Sequence, residues 1–139
     1  AIERKLSFLS YAPMIRISAK TGRSVSKIFK QVIEVQSERH KRVGTSELNR
    51  YFQDVVDSLQ PSAKGNSRPR LYYVTQPMVR PPTFIFKAKH PDLIRDSYKR
   101  YLLNALRDRY GFAGTPLWLK FRANSKSRPG YGNLKKDEE

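Results

Sequence analysis

There is no cysteine among the 139 residues, so disulfides, thiolate zinc sites and cysteine nucleophiles are excluded. Histidine occurs twice, as His40 and His90. Each has a basic neighbour and neither stands at a metal-ligand spacing, which marks them as surface or turn residues rather than ligands. A self-contained hydrolase is therefore not expected. No apolar run approaches the roughly 20 residues that span a bilayer and no signal peptide is visible, so a soluble, cytoplasmic chain is expected. Acidic residues are scarce too: 12 Asp and Glu stand against 28 Lys and Arg, a formal charge of +16.

The excess of cations is uneven. Val43 to Gln60 has one basic residue, Arg50, against Glu47, Asp54 and Asp57, whereas Pro61 to Lys136 has 17 basic residues against three acids. A pI near 10.4 lies well beyond what solubility needs, and such a field attracts polyanions. The length suits one ordinary domain, or a small domain with an appendage.

The most clearly amphipathic stretch is Pro91 to Gly111. Ile94, Tyr98, Tyr101, Leu102 and Ala105 recur at helical spacing on one face, and Arg95, Lys99, Arg100, Arg107 and Arg109 outnumber Asp96 and Asp108 on the other. Pro91 suits a first turn, Asp92 complements the helix dipole, and Gly111 can end the helix in a left-handed conformation. Short β-like runs flank this predicted helix. Arg70 to Gln76 and Thr83 to Lys89 precede it, separated by a turn with Pro77, Pro81 and Pro82, and Pro116 to Arg122 follows. Phe84, Phe86 and Ala88 alternate with Ile85, Lys87 and Lys89, and Leu117, Leu119 and Phe121 alternate with Trp118, Lys120 and Arg122, giving each strand a buried and a basic face. Upstream, Leu48, Phe52, Val55 and Leu59 predict a helix that Thr45 or Ser46 caps and Pro61 ends. The order α-β-β-α-β places two helices on one face of a three-stranded sheet, an α+β core.

The first 38 residues are different. Ile2, Leu6 and Leu9 read as the last turns of a helix, Met14, Ile15 and Ile17 as a strand, and Val25, Ile28, Phe29, Val32 and Ile33 as a helix over Arg23 to Arg39 that Ser24 or Thr21 can cap. A lone strand between helices is the closing part of an α/β domain. Ser37 to Gly44, SERHKRVG, reads as a linker, and the residues beyond Asn124, poor in apolar side chains, as a disordered tail.

A buried strand, then Ser18-Ala19-Lys20-Thr21-Gly22, then an amphipathic helix resembles the fifth guanine-nucleotide motif of the P-loop GTPases. TSELNR (Thr45 to Arg50), PPTF (Pro81 to Phe84), SYKRYL (Ser97 to Leu102) and GFAGTP (Gly111 to Pro116) follow in order. Together they resemble the C-terminal part of the Der/EngA family, bacterial GTPases with two tandem G domains and a KH-like domain. The resemblance covers about Ala12 to Arg122. It implies a remnant of the second G domain over residues 1–38, a linker over 39–44, a KH-like domain over 45–123 and a tail over 124–139. It also implies that the Ala19 amide donates to guanine, with Lys20 along the base and Ser18 beside them, and that the intact protein uses GTP or GDP and Mg²⁺. The GxxxxGK[ST] phosphate loop and the NKxD specificity motif are absent, so this chain alone is expected not to hydrolyse GTP.

For the partner, the resemblance implies ribosomal RNA of the large subunit during assembly, and G domains of the same chain. Candidate RNA-binding residues are Arg95, Lys99, Arg100, Arg107, Lys87, Lys89 and Lys120, which supply cations at intervals, and Trp118, with Tyr72 and Arg122, for stacking. Gly111 and Gly114 have the spacing of the GxxG loop with which KH domains clamp a backbone, although Phe112 and Ala113 carry no charge. The other reading of this pair is a helix cap followed by a turn. Two functions compete: an RNA-binding module, and a regulatory unit that docks on a G domain in response to its nucleotide.

Overall fold

In a computed structural model, residues 2–124 are described; the expected tail from residue 125 lies outside them. The described chain runs α1 (Ile2–Lys5), α2 (Ser26–Arg39), α3 (Thr45–Ser58), β1 (Arg70–Met78), β2 (Thr83–Lys89), α4 (Asp96–Tyr110) and β3 (Trp118–Ala123). Short 3-10 turns at Ser7–Leu9 and Pro91–Leu93 complete it. The three strands form one mixed sheet in the order β1-β2-β3. The hairpin strands β1 and β2 are antiparallel, while β3 returns parallel to β2 after crossing through α4. This is the expected α+β core.

One face of the sheet carries the hydrophobic core. Val74, Phe84, Phe86 and Ala88 pack with Leu48, Phe52 and Val55 of α3 and with Tyr98, Leu102, Ala105 and Leu106 of α4. Tyrosine hydroxyls fasten the two helices: Tyr98 donates to the Leu59 carbonyl (2.7 Å), Tyr101 to the Val55 carbonyl (3.0 Å) and Tyr51 to the Ala105 carbonyl (2.9 Å). Burial, with Tyr101 beside it, pushes the Tyr98 phenol up to about 12, so it keeps its donor proton far above neutral pH.

The outer edge of β1 is closed by a side chain. Asn49 of α3 donates to the Val74 carbonyl and accepts from the Val74 amide, both at 2.8 Å, imitating a neighbouring strand. Asn49→Ala leaves both groups of a buried residue unpaired and is expected to cost about 1–3 kcal/mol, read as a lower denaturant midpoint. Asn49→Asp, which retains the acceptor, is expected to fall between the two.

Several expectations need correction. The helix predicted from Pro91 begins at Asp96, because Ile94 and Arg95 are extended and Ile94 is drawn into the core. Gly111 does end it, with φ +83. Residues 13–18 make no ladder: among the described residues Met14 to Ile17 have no strand beside them to pair with. None of the expected side-chain N-caps is used. Val25 and Gly44 hold the N-cap positions without side-chain caps, Ser24 is itself at φ +60, and the Ser18 hydroxyl accepts the Thr21 amide instead. Leu59, counted on the apolar face of α3, lies past the helix and is exposed.

The stretch between α2 and α3 is tied to the sheet. The Gln76 side chain accepts the Val43 amide (2.8 Å) and donates to the Lys41 carbonyl (3.0 Å), and Arg42 donates to the Gln76 carbonyl (3.0 Å). By contrast, α2 buries none of its residues, and Ile17, Phe29, Val32 and Ile33 stay exposed.

Candidate nucleic-acid interface

The cationic candidates divide between opposite sides of the core layer. Pairing puts Arg70, Tyr73 and Thr75 of β1, Ile85, Lys87 and Lys89 of β2, and Trp118, Lys120 and Arg122 of β3 on the face turned away from the helices. The register lines them up in rows across the sheet: Thr75, Ile85 and Lys120 in one, Tyr73, Lys87 and Arg122 in the next. A β-bulge after Leu71 lets Tyr73 join this face, because it displaces Tyr72 to the edge. There the Arg70 guanidinium lies 5.7 Å from the Tyr72 ring centroid. No acidic residue occurs in any of the three strands. Five cations on strands that carry no acid make a concentrated positive field.

The outer surface of α4 is weaker. Arg95 and Arg100 are exposed there, but Lys99 pairs with Asp96 at 3.1 Å and leans over the Phe121 ring. Arg107 turns inward. Its guanidinium donates to the Phe112 carbonyl (2.9 Å) and the Thr115 carbonyl (3.0 Å) and lies 4.4 Å from the Tyr11 ring centroid. Burial pulls its pKa below the usual arginine value. Arg107 is thus spent on holding the loop after α4, which its place on the polar helical stripe did not reveal.

That loop contains Gly111 and Gly114, and it is occupied by the chain's own first segment. The Gly114 amide donates to the Tyr11 carbonyl (2.8 Å), the Ala113 amide to a Glu38 carboxylate oxygen (3.3 Å) and the Gly111 amide to the Arg107 carbonyl (2.8 Å). Lys41 bridges the same Glu38 oxygen (2.7 Å) and the Tyr110 carbonyl (2.9 Å). Burial would raise the Glu38 carboxyl, but Lys41 and the Phe112 and Ala113 amides outweigh it and its pKa is lowered. Phe112 is fully buried against Phe84. The amides that a GxxG clamp would turn toward phosphates are engaged inside the molecule.

Ser18, Ala19 and Lys20 form a turn at the other end of the first segment. The Ser18 amide donates to the Arg23 carbonyl, while Ala19 and Lys20 are exposed and the Ala19 amide has no partner among the described residues. The string Asp108 to Gly111 spells the DxxG of a GTPase metal motif but lies on the last turn of α4, where Gly111 is the helix cap. Among the described residues no cluster of His, Asp or Glu is arranged to hold a metal, and no helix is long and apolar enough to cross a membrane.

Residues 42–122 match the family model described as the KH-domain-like, C-terminal part of EngA bacterial GTPase enzymes. Among curated proteins, the chain is 41% identical to a GTPase Der of Thermomicrobium roseum over 89% of its own length and 27% of the relative's. The corresponding figures are 44%, 88% and 28% for GTPase Der of Clostridium kluyveri, and 40%, 98% and 28% for that of Dinoroseobacter shibae. The chain thus spans little more than a quarter of the relatives it matches.

Proposed function

For a chain that belongs to the family of KH-like domains at the C-terminus of the EngA bacterial GTPases, we propose an RNA-binding and regulatory role in a GTPase that acts on the large ribosomal subunit during its assembly. The observation that carries this reading is the sheet face on which Arg70, Lys87, Lys89, Lys120 and Arg122 gather with no acid on any strand. Phosphates need cations at intervals rather than a shaped pocket, and this face offers them. In this reading residues 1–38 close a G domain, 45–123 are the KH-like domain, and GTP and Mg²⁺ are bound by the full-length protein, with Ala19 and Lys20 at the base.

The test is binding to a fragment of large-subunit ribosomal RNA and to a matched unrelated RNA across a salt series. A preference that persists near 0.15 M salt is expected, with Lys87→Ala and Lys120→Ala each lowering the salt slope by about 0.7 for an unpaired strand. Equal affinities that collapse together with salt would mean counterion release alone.

A second reading has its own support in the contacts among Tyr11, Val35, Glu38 and the loop 111–115. They suit a unit that takes its orientation from the segment before it and so responds to the state of a G domain. Both roles fit one protein, since the loop and the sheet face are separate surfaces.

A further inference from the structure

We propose that the open sheet face is a platform for an unpaired nucleic-acid strand, on which Trp118 and Tyr73 stack against bases while Lys87, Lys120 and Arg122 take phosphates. The inference rests on the RNA-binding reading and specifies its site and its ligand: single strands, on the sheet, away from both the loop at Gly111 to Gly114 and the outer side of α4.

The tyrosines of this chain show why the two rings are singled out. Tyr51, Tyr98 and Tyr101 spend their hydroxyls on helix carbonyls, and their rings pack on other rings. Tyr73 and Trp118 do neither. They are 43% and 55% exposed, and neither the phenol hydroxyl nor the indole N–H has a partner among the described residues. Both stand on the cationic face, in the rows of Lys87 with Arg122 and of Thr83. The rows are four residues apart along the strands, ~13 Å at roughly 3.3 Å per residue. The row of Ile85 and Lys120 lies between them, so a cation falls between the two rings.

This arrangement selects against a duplex. In an A-form helix the base faces are already stacked, and recognition runs through phosphates, 2′-hydroxyls and shape. A ring lying open on a sheet gains contact only from a base that has left its stack. Aromatic platforms interleaved with cations are the general chemistry of single-strand binding, tolerant of sequence because every base has a π-face. Packing does not explain the choice of residues, since neither ring takes part in the core.

Trp118 is the single tryptophan, so its fluorescence reports directly on the site. The experiment titrates the chain with a mixed-sequence RNA oligonucleotide and with the same sequence as a perfect duplex, near 0.15 M salt. The single strand is expected to quench Trp118 at concentrations where the duplex does not. Trp118→Ala and Tyr73→Ala are each expected to weaken single-strand binding about 5- to 150-fold with little change in salt slope, and Trp118→Phe to recover most of the loss. Arg50→Ala, exposed on α3 away from the sheet face, is the control expected to change nothing. Strong RNA binding with a silent Trp118 and a neutral Trp118→Ala would overturn the platform and leave the RNA-binding reading standing. Equal quenching by the duplex would also overturn it. Failure to bind either RNA would overturn both.

Discussion

Gly114→Ala is expected to loosen the first segment from the core, seen as loss of hydrogen-exchange protection at the Gly114 amide, which donates to the Tyr11 carbonyl. Two separate costs converge on this residue. Its φ of +75 is left-handed, which for an L side chain costs on the order of 1–2 kcal/mol. The added methyl would also overlap Val35 Cγ2, closer than real Cβ atoms come to a neighbour, and would press on the Pro13 ring at 3.2 Å. Val35 is β-branched and held on α2, so it has little rotamer freedom with which to give way. The expected result is movement of α2 and residues 11–13 away from the loop, while amides of the β1–β2 ladder keep their protection. Val35→Ala opens the space, so the double variant should regain part of the Gly114 protection, and the coupling between the two changes is the measurement. Gly111→Ala meets only the side-chain ends of Glu38 and Lys41, at 3.1 and 3.3 Å, and should cost less than Gly114→Ala, although both glycines belong to one GxxG string. Equal effects of the two alanines would mean that the contact with Val35 has no weight.

That string shows where reading a sequence stops. Two glycines three apart are compatible with a phosphate clamp or with a cap and a turn, and nothing local separates the two. The contacts that separate them come from Tyr11, Val35 and Glu38, some 75 to 100 positions earlier. The strands were legible for the opposite reason. Alternation in β2 and β3 is a local signal with period two, and Phe84, Phe86 and Ala88 are buried as their spacing requires. The helix periodicity likewise placed Tyr98, Leu102 and Ala105 in the core, yet the same count put Arg107 on an outward stripe. Periodicity gives the direction of a side chain's Cα–Cβ bond and not the end of a long, flexible guanidinium, which here reaches back to two loop carbonyls. Tyr73 stayed hidden because a single bulged residue turned it from one face to the other. In the first segment, the apolar spacing of Val25 to Ile33 correctly gave a helix, but periodicity does not say whether a partner is present, and that face is uncovered.

Phe86→Ala should be the most destabilising single change, at about 3–5 kcal/mol, because Phe86 is the point where three elements meet. It stands on the central strand with 1% exposure, edge-on to Phe52 of α3 at 5.0 Å and stacked on Phe121 of β3 at 5.2 Å. Removing the ring forfeits both aromatic contacts, each worth about 0.5–1.5 kcal/mol beyond burial, and opens a cavity that a hydrogen-bonded sheet is poorly able to close. Against a typical domain stability of about 5–15 kcal/mol this is a large fraction, readable as a lower midpoint in urea with a similar slope. Phe86→Leu, which keeps most of the volume, should lose much less. The position also separates stability from binding. Its neighbours Ile85 and Lys87 point to the other face, so where Phe86→Ala remains folded, RNA affinity per folded molecule should be close to that of the unaltered chain. Lys87→Ala, one residue away, should do the reverse, weakening binding in a salt-dependent way with little effect on the urea midpoint. A loss of affinity in fully folded Phe86→Ala would mean that the ligand reaches the helix side of the sheet.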